Sequence, residues 1–329
     1  MRPFAYALLA VVLAACSKDE AKPQQSPAPS AEPIPSDLVY NSVFDDKGNA
    51  PPQVVVAATD AGTDGGTRVV SGSTAKLLDP GQDPKAPLVY SYVDKPRTVT
   101  ATVKMSAAGQ EQPPFRFTFT ARPRPKLGLA SDAHVEVRVT KMEMDLGPNP
   151  PPQLAAQKGA LEKGFVGVGA SFDATSHGDI DNLDFESDKA TQGVGELVVV
   201  FQPALELLVI PLPDEAVGIG AKWVKTNNKR TEDGQGASTT TMTLLARDAQ
   251  TATIKVEAQS SVQQNINDPR APKGASISRS TKGSYTVVVR FDGVAQKVTG
   301  SSDNALTQKA PGQPDQSQTA KISQDLESK

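Results

Sequence analysis

Phe115, Phe117 and Phe119 alternate with Arg116, Thr118 and Thr120 in the run FRFTFT. Side chains two apart on an extended chain share a face, so this spacing makes a strand with one apolar and one polar side and excludes a helix of period 3.6. Runs of the same kind occur at 87–93 (PLVYSYV), 97–107 (RTVTATVKMSA), 115–123 and 134–145 (HVEVRVTKMEMD). They return at 221–228, 237–247, 251–262, 283–292 and 294–303. Short connections favour antiparallel neighbours, and Asp233-Gly234-Gln235-Gly236 carries hairpin-turn chemistry. Twenty-seven prolines and 25 glycines suit many turns and few long helices. The reading is a mainly β fold: antiparallel sheet as a curved sheet, half-barrel or sandwich, with one or two helices between its halves.

The halves echo each other. KGFVGVGASFD from Lys163 and KGSYTVVVRFD from Lys282 align Gly164 with Gly283, Val168 with Val287, Phe172 with Phe291 and Asp173 with Asp292. Upstream, DAHVEVRV from Asp132 faces DAQTATIKV from Asp248 at nearly the same spacing. This predicts a duplicated meander of about five strands, the first in residues 41–190 and the second in 191–308. Between them, 151–164 opens on prolines and closes on a glycine as a short helix does. In 191–213 the apolar content is nearly continuous. Leu197, Phe201, Leu205 and Leu208 fit one helical face, which predicts a helix ending before Pro211, although Val198 to Phe201 suits a buried strand equally well.

At the N-terminus, Met1, Arg2 and Pro3 precede an apolar run from Phe4 to Ala14, too short for the roughly 20 residues a membrane span needs. It reads as a signal peptide, residues 1–15. The run ends in Leu13-Ala14-Ala15-Cys16, and Cys16 is the sole cysteine. This resembles the lipobox of bacterial lipoproteins. The resemblance implies that Cys16 becomes the first mature residue, with a diacylglycerol on its thiol and an acyl chain such as palmitate on its amine. Two or more such chains anchor stably where one does not. Ser17 stands where that family's inner-membrane retention signal would be an Asp, which implies the outer membrane with the domain facing the periplasm. Residues 16–40 read as lipidated cysteine and tether, and 309–329 as a disordered tail, because both are rich in Pro, Ser, Gln and charge. Residues 44–67 read as loop around a short strand at 53–58. A second resemblance rests on IPLPDEAVGIGAKW (210–223) and LLDPGQDPKAPLVYSY (77–92). These are similar to segments of uncharacterised β-rich envelope lipoproteins, a group that implies no activity.

Composition narrows the partners. A net charge of −3 and 5% aromatic residues leave neither the basic stripe that nucleic acid requires nor a platform for stacking bases or sugars. His134 and His177 are not at metal-ligand spacing. Ser176 beside His177 makes no triad on an extended chain, where adjacent side chains diverge. Asp179, Asp181, Asp184, Glu186 and Asp188 lack the glycine and bidentate Glu of a calcium loop. Glycines 164, 167 and 169, and 218 and 220, lack the strand-to-helix context of a phosphate loop and read as places where backbone bends or packs closely. No catalytic, metal or cofactor site is expected. The expected partners are the membrane, through the N-terminal lipid, and either a protein or a lipid. The first reading is a lipid-anchored, non-enzymatic binding or structural protein. The alternative is a carrier whose β cradle holds a hydrophobic ligand against Leu197, Phe201, Leu205, Leu208 and Trp223.

Overall fold

The computed structural model describes residues 75–107, 110–126, 132–148, 150, 152–186, 201–231, 234–266, 274–312 and 314–329. Cys16, the tether, the strand expected at 53–58 and Leu197 lie outside them. Among the described residues are thirteen strands and two helices. The strands are β1 (Lys76–Asp79), β2 (Arg97–Ala107), β3 (Gln110–Glu111), β4 (Phe115–Pro125), β5 (Ala133–Met144), β6 (Gly169–Ala174) and β7 (Ile180–Glu186). They continue as β8 (Lys222–Thr231), β9 (Gly234–Arg247), β10 (Thr251–Asn265), β11 (Ser276–Arg290), β12 (Lys297–Lys309) and β13 (Gln316–Ser328). Helix α1 is Pro152–Phe165, and the described part of α2 is 201–206.

All thirteen strands join one open antiparallel sheet in the order β1-β8-β9-β10-β11-β12-β13-β2-β4-β5-β6-β7, with β3 on β2. Two five-strand meanders, β8 to β12 and β2-β4-β5-β6-β7, run the same way around the sheet, the arrangement that tandem copies of one unit would make. In each, the strand after Asp132 or Asp248 pairs with the strand that reaches Asp173 or Arg290. The echo is incomplete: Lys163 to Phe165 form the last turn of α1, whereas Lys282 to Ser284 lie within β11.

Alternation places the core as expected. In β4, Phe115, Phe117, Phe119 and Ala121 are fully buried, and in β5 Ala133, Val135, Val137 and Val139 are buried. The core continues into the second meander through Trp223, Met242, Leu244, Ile254, Val287 and Val289.

Two expectations are corrected. Residues 316–328 are not a disordered tail. They form β13, which lies between β12 and β2 and joins the meanders. Composition misleads because the apolar residues are few; what matters is that Ile322, Gln324 and Leu326 share a face, with Gln324 and Leu326 buried. Backbone pairing on both sides then offsets the ordering entropy that composition alone could not.

Residues 87–93 are extended but form no strand. Their amides bond to loops instead of a ladder: Tyr90 N to Ser176 O (2.8 Å), Ser91 N to Phe291 O (2.6 Å) and Val93 N to Asp292 O (3.1 Å). The segment is a strap tying the Thr175–Gly178 corner of the first meander to the matching corner of the second, with Leu88, Tyr90 and Tyr92 buried beneath it.

Candidate functional site

The side chains expected to line a hydrophobic pocket are packed into the core. Phe201, Leu205, Leu208 and Trp223 are at most 1% exposed. Phe201 meets Phe119 edge-on at 5.2 Å, Phe117 at 5.4 Å and Phe165 at 6.0 Å between centroids. The chain leaves α2 at Leu207 and runs irregularly to Leu212, held by the Tyr90 hydroxyl. That hydroxyl donates to Ile210 O (3.2 Å) and accepts from Ile210 N (3.0 Å). Trp223 Nε1 donates to Pro211 O at 2.8 Å. Burial pushes the Tyr90 hydroxyl well above the ordinary phenol range, which keeps it a neutral two-way partner.

The acidic corner is structural in its geometry. Asp173 accepts from His134 Nδ1, Lys126 Nζ and Asn182 Nδ2, each at 3.0 Å, and Asp179 pairs with Lys225 of β8. Among the described residues no three His, Cys, Asp or Glu side chains converge as metal ligands. Ser176 and His177 sit in a turn, not on an extended chain, so Ser176 Oγ does come within 3.4 Å of His177 Nδ1. Asp214 approaches the same nitrogen at 3.6 Å. A relay needs the hydroxyl and the carboxylate on opposite ring nitrogens, so this contact does not form one.

Burial tends to raise the Asp173 carboxyl, but its bonds to His134, Asn182 and Lys126 outweigh that and hold it below the ordinary range. A depressed carboxylate contributes stability above its unfolded pKa, near 3.9, and loses it as pH falls through the folded value. Asp173→Asn is expected to cost about 1 kcal/mol at neutral pH and to flatten the loss of stability below about pH 4. Urea unfolding at both pH values checks this; equal acid losses in variant and parent would refute the linkage.

A different feature emerges from strand register. In the distal half of the sheet, residues on the parity opposite to buried Val256, Tyr285, Val298 and Leu326 form ranks across the strands. One rank is small: Ala237 of β9, Ser261 of β10, Ser280 of β11, Ala305 of β12 and Thr319 of β13, each the register partner of the next. Two residues away on one side stand Gln259, Lys282, Asp303, Lys321 and Ser106, again successive partners. On the other side stand Gln235, Gln263, Ser278 and Thr307. The result is a strip of short side chains perpendicular to the strands, a trough bordered by the taller Gln259, Lys282, Asp303 and Lys321 on one side and, over β9 and β10, by Gln235 and Gln263 on the other.

Its two sides are cavities of about 630 Å³, against the Gln235 and Gln263 wall, and about 500 Å³, against the Lys282 and Lys321 wall, which meet over Ser280 and Ala305. Both are shallow and about half open to solvent. No aromatic side chain and no carboxylate other than Asp303 lines either cavity. Sequence reasoning missed the trough because its residues are scattered over five strands and look like ordinary solvent-facing Ser, Thr and Gln.

Comparison with known proteins adds little beyond this geometry. No curated protein and no solved structure matches the chain. Residues 200–295 match a family of unknown function (DUF6263), a stretch that runs from α2 through β8, β9, β10 and β11 and so carries much of the packed apolar plug and one side of the trough.

Proposed function

We propose that this chain is a lipid-anchored protein of the cell envelope, held to the outer membrane by acylated Cys16, whose sheet is a non-enzymatic binding platform. The observation that carries the binding reading is how the apolar residues are used. Phe201, Leu205, Leu208 and Trp223, which a carrier would keep free for a hydrophobic ligand, are spent on internal packing, while the distal sheet presents an open polar trough. The anchor reading is supported by Leu13-Ala14-Ala15-Cys16 at the end of a short apolar run. A tether rich in Pro, Ser and Gln would let the platform stand off from the membrane.

Two measurements test the parts separately. Metabolic labelling with a fatty-acid analogue is expected to mark the protein and to fail completely for Cys16→Ser, with that variant leaving the membrane fraction; an unlabelled parent would end the anchor reading. Native mass spectrometry of a version starting at Ser17, with lipid extraction, is expected to show a mass free of lipid. Stoichiometric co-purifying lipid would make the protein a carrier instead.

A further inference from the structure

We propose that the trough across β9 to β13 binds a linear, hydroxyl-rich glycan laid perpendicular to the strands, an assignment that rests on the binding-platform reading and names its ligand class. Shape is the first argument. With neighbouring strands about 4.8 Å apart, a floor of five strands is about 19 Å long, and walls two residues to either side stand about 7 Å from its midline. Floor side chains no larger than Thr leave room for a narrow chain molecule several units long, walled on the Gln235 and Gln263 side over β9 and β10 and on the Gln259, Lys282 and Lys321 side over β10 to β13.

Chemistry is the second argument. The hydroxyls of Ser261, Ser280 and Thr319 and the amides of Gln259 and Gln263 each both donate and accept, as sugar hydroxyls do. A ligand dense in phosphate or carboxylate would want donors alone; Lys282 and Lys321 supply them, but Asp303, set between the two on one wall, offsets part of their charge and offers acceptors only, a mixture that suits hydroxyls. An extended peptide is disfavoured by orientation. Strand addition satisfies a peptide's N–H and C=O groups at a sheet edge, whereas here the ligand crosses the sheet face and meets side chains. The lack of aromatic side chains removes ring stacking, so affinity comes from many hydrogen bonds, each contributing modestly, and a chain of several sugars is needed to accumulate them.

Saturation-transfer NMR on the full chain in detergent tests this, with chitotetraose, cellotetraose and maltotetraose as probes and a Ser/Gln-rich decapeptide for contrast. At least one tetrasaccharide is expected to bind. Ser280→Trp, which fills the floor, is expected to weaken it about tenfold or more, and the milder Gln263→Ala about threefold, with thermal melts verifying that both variants fold. The proposal is overturned if none of the three sugars binds at millimolar concentration, if neither variant weakens binding, or if only the decapeptide binds. A lipid-free mass together with no sugar binding overturns the glycan and leaves the platform, whereas stoichiometric lipid overturns the platform whatever the titration shows.

Discussion

Truncation after Lys309 is expected to abolish cooperative folding of the sheet, although it removes only a polar segment that looks dispensable. β13 lies along β12 from Gln316 to Glu327 and along β2 from Ala320 to Ser328. Without it two long strand edges lose their partners at the junction of the meanders, and the core side of that junction, including Val99, Val103 and Val298, opens to water. Domain stability is only about 5–15 kcal/mol, and with ladders on both sides of the strand and about 1 kcal/mol net per hydrogen bond, its loss is of the same order. Circular dichroism melts and dispersed amide NMR spectra check the outcome. A truncated chain that melts cooperatively within a few degrees of the parent would show that the two meanders hold without their joining strand. Unpaired edges also template association, so the truncated protein is expected to aggregate.

Gly218→Ala is expected to be the most damaging glycine-to-alanine change among the described residues, at about 3–5 kcal/mol. A Cβ there would fall onto the carbonyl oxygen of Gln82 and within 2.7 Å of its carbonyl carbon. Neither backbone can retreat. Gln82 N donates to Ile219 O at 2.9 Å, Gly218 N donates to Pro80 O at 2.9 Å, and Ala86 and Val217 exchange both their bonds at 3.0 Å. The crossing locks the segment after β1 to the segment before β8. Gly167 is the internal control. It has a φ of +89°, but a Cβ there meets nothing within 4 Å, so Gly167→Ala carries conformational strain alone, about 1 kcal/mol. Urea denaturation of both variants gives the comparison. A smaller loss at 218 than at 167 would mean the crossing yields easily.

The strands that were legible are those whose apolar residues alternate strongly. Arg97–Ala107 was readable to the residue, and β4, β5, β9 and β10 within three residues or so at each end, because burial of one face imposes the period on the sequence. The strap at 87–93 has the same alternation, with Leu88, Tyr90 and Tyr92 buried, yet its amides find loop carbonyls. Periodicity reports which side chains are buried and is silent on where the backbone bonds go. β13 fails in the opposite direction: its pattern is weak, and the neighbours that stabilise it are about 20 and more than 200 residues away in the chain.

The candidate sites divide along the same line. The helical spacing of Phe201 and Leu205 marks a buried face of α2, but the helix expected to run to Pro211 ends at 206 and Leu208 is buried from the irregular segment beyond it; whether these side chains line a cavity or fill one depends on Phe117, Phe119 and Phe165, brought to them by other elements. The trough is invisible without the register that sets Ala237, Ser261, Ser280, Ala305 and Thr319 side by side. Local residue order was enough to determine the β character, the antiparallel connectivity of adjacent strands and the inward face of most of them, because those follow from the two-residue repeat of an extended chain. The neighbours of β13, the filling of the apolar side and the existence of the trough were decided only in three dimensions, because each depends on the free energy of contacts between segments far apart in the chain, to which no local spacing refers.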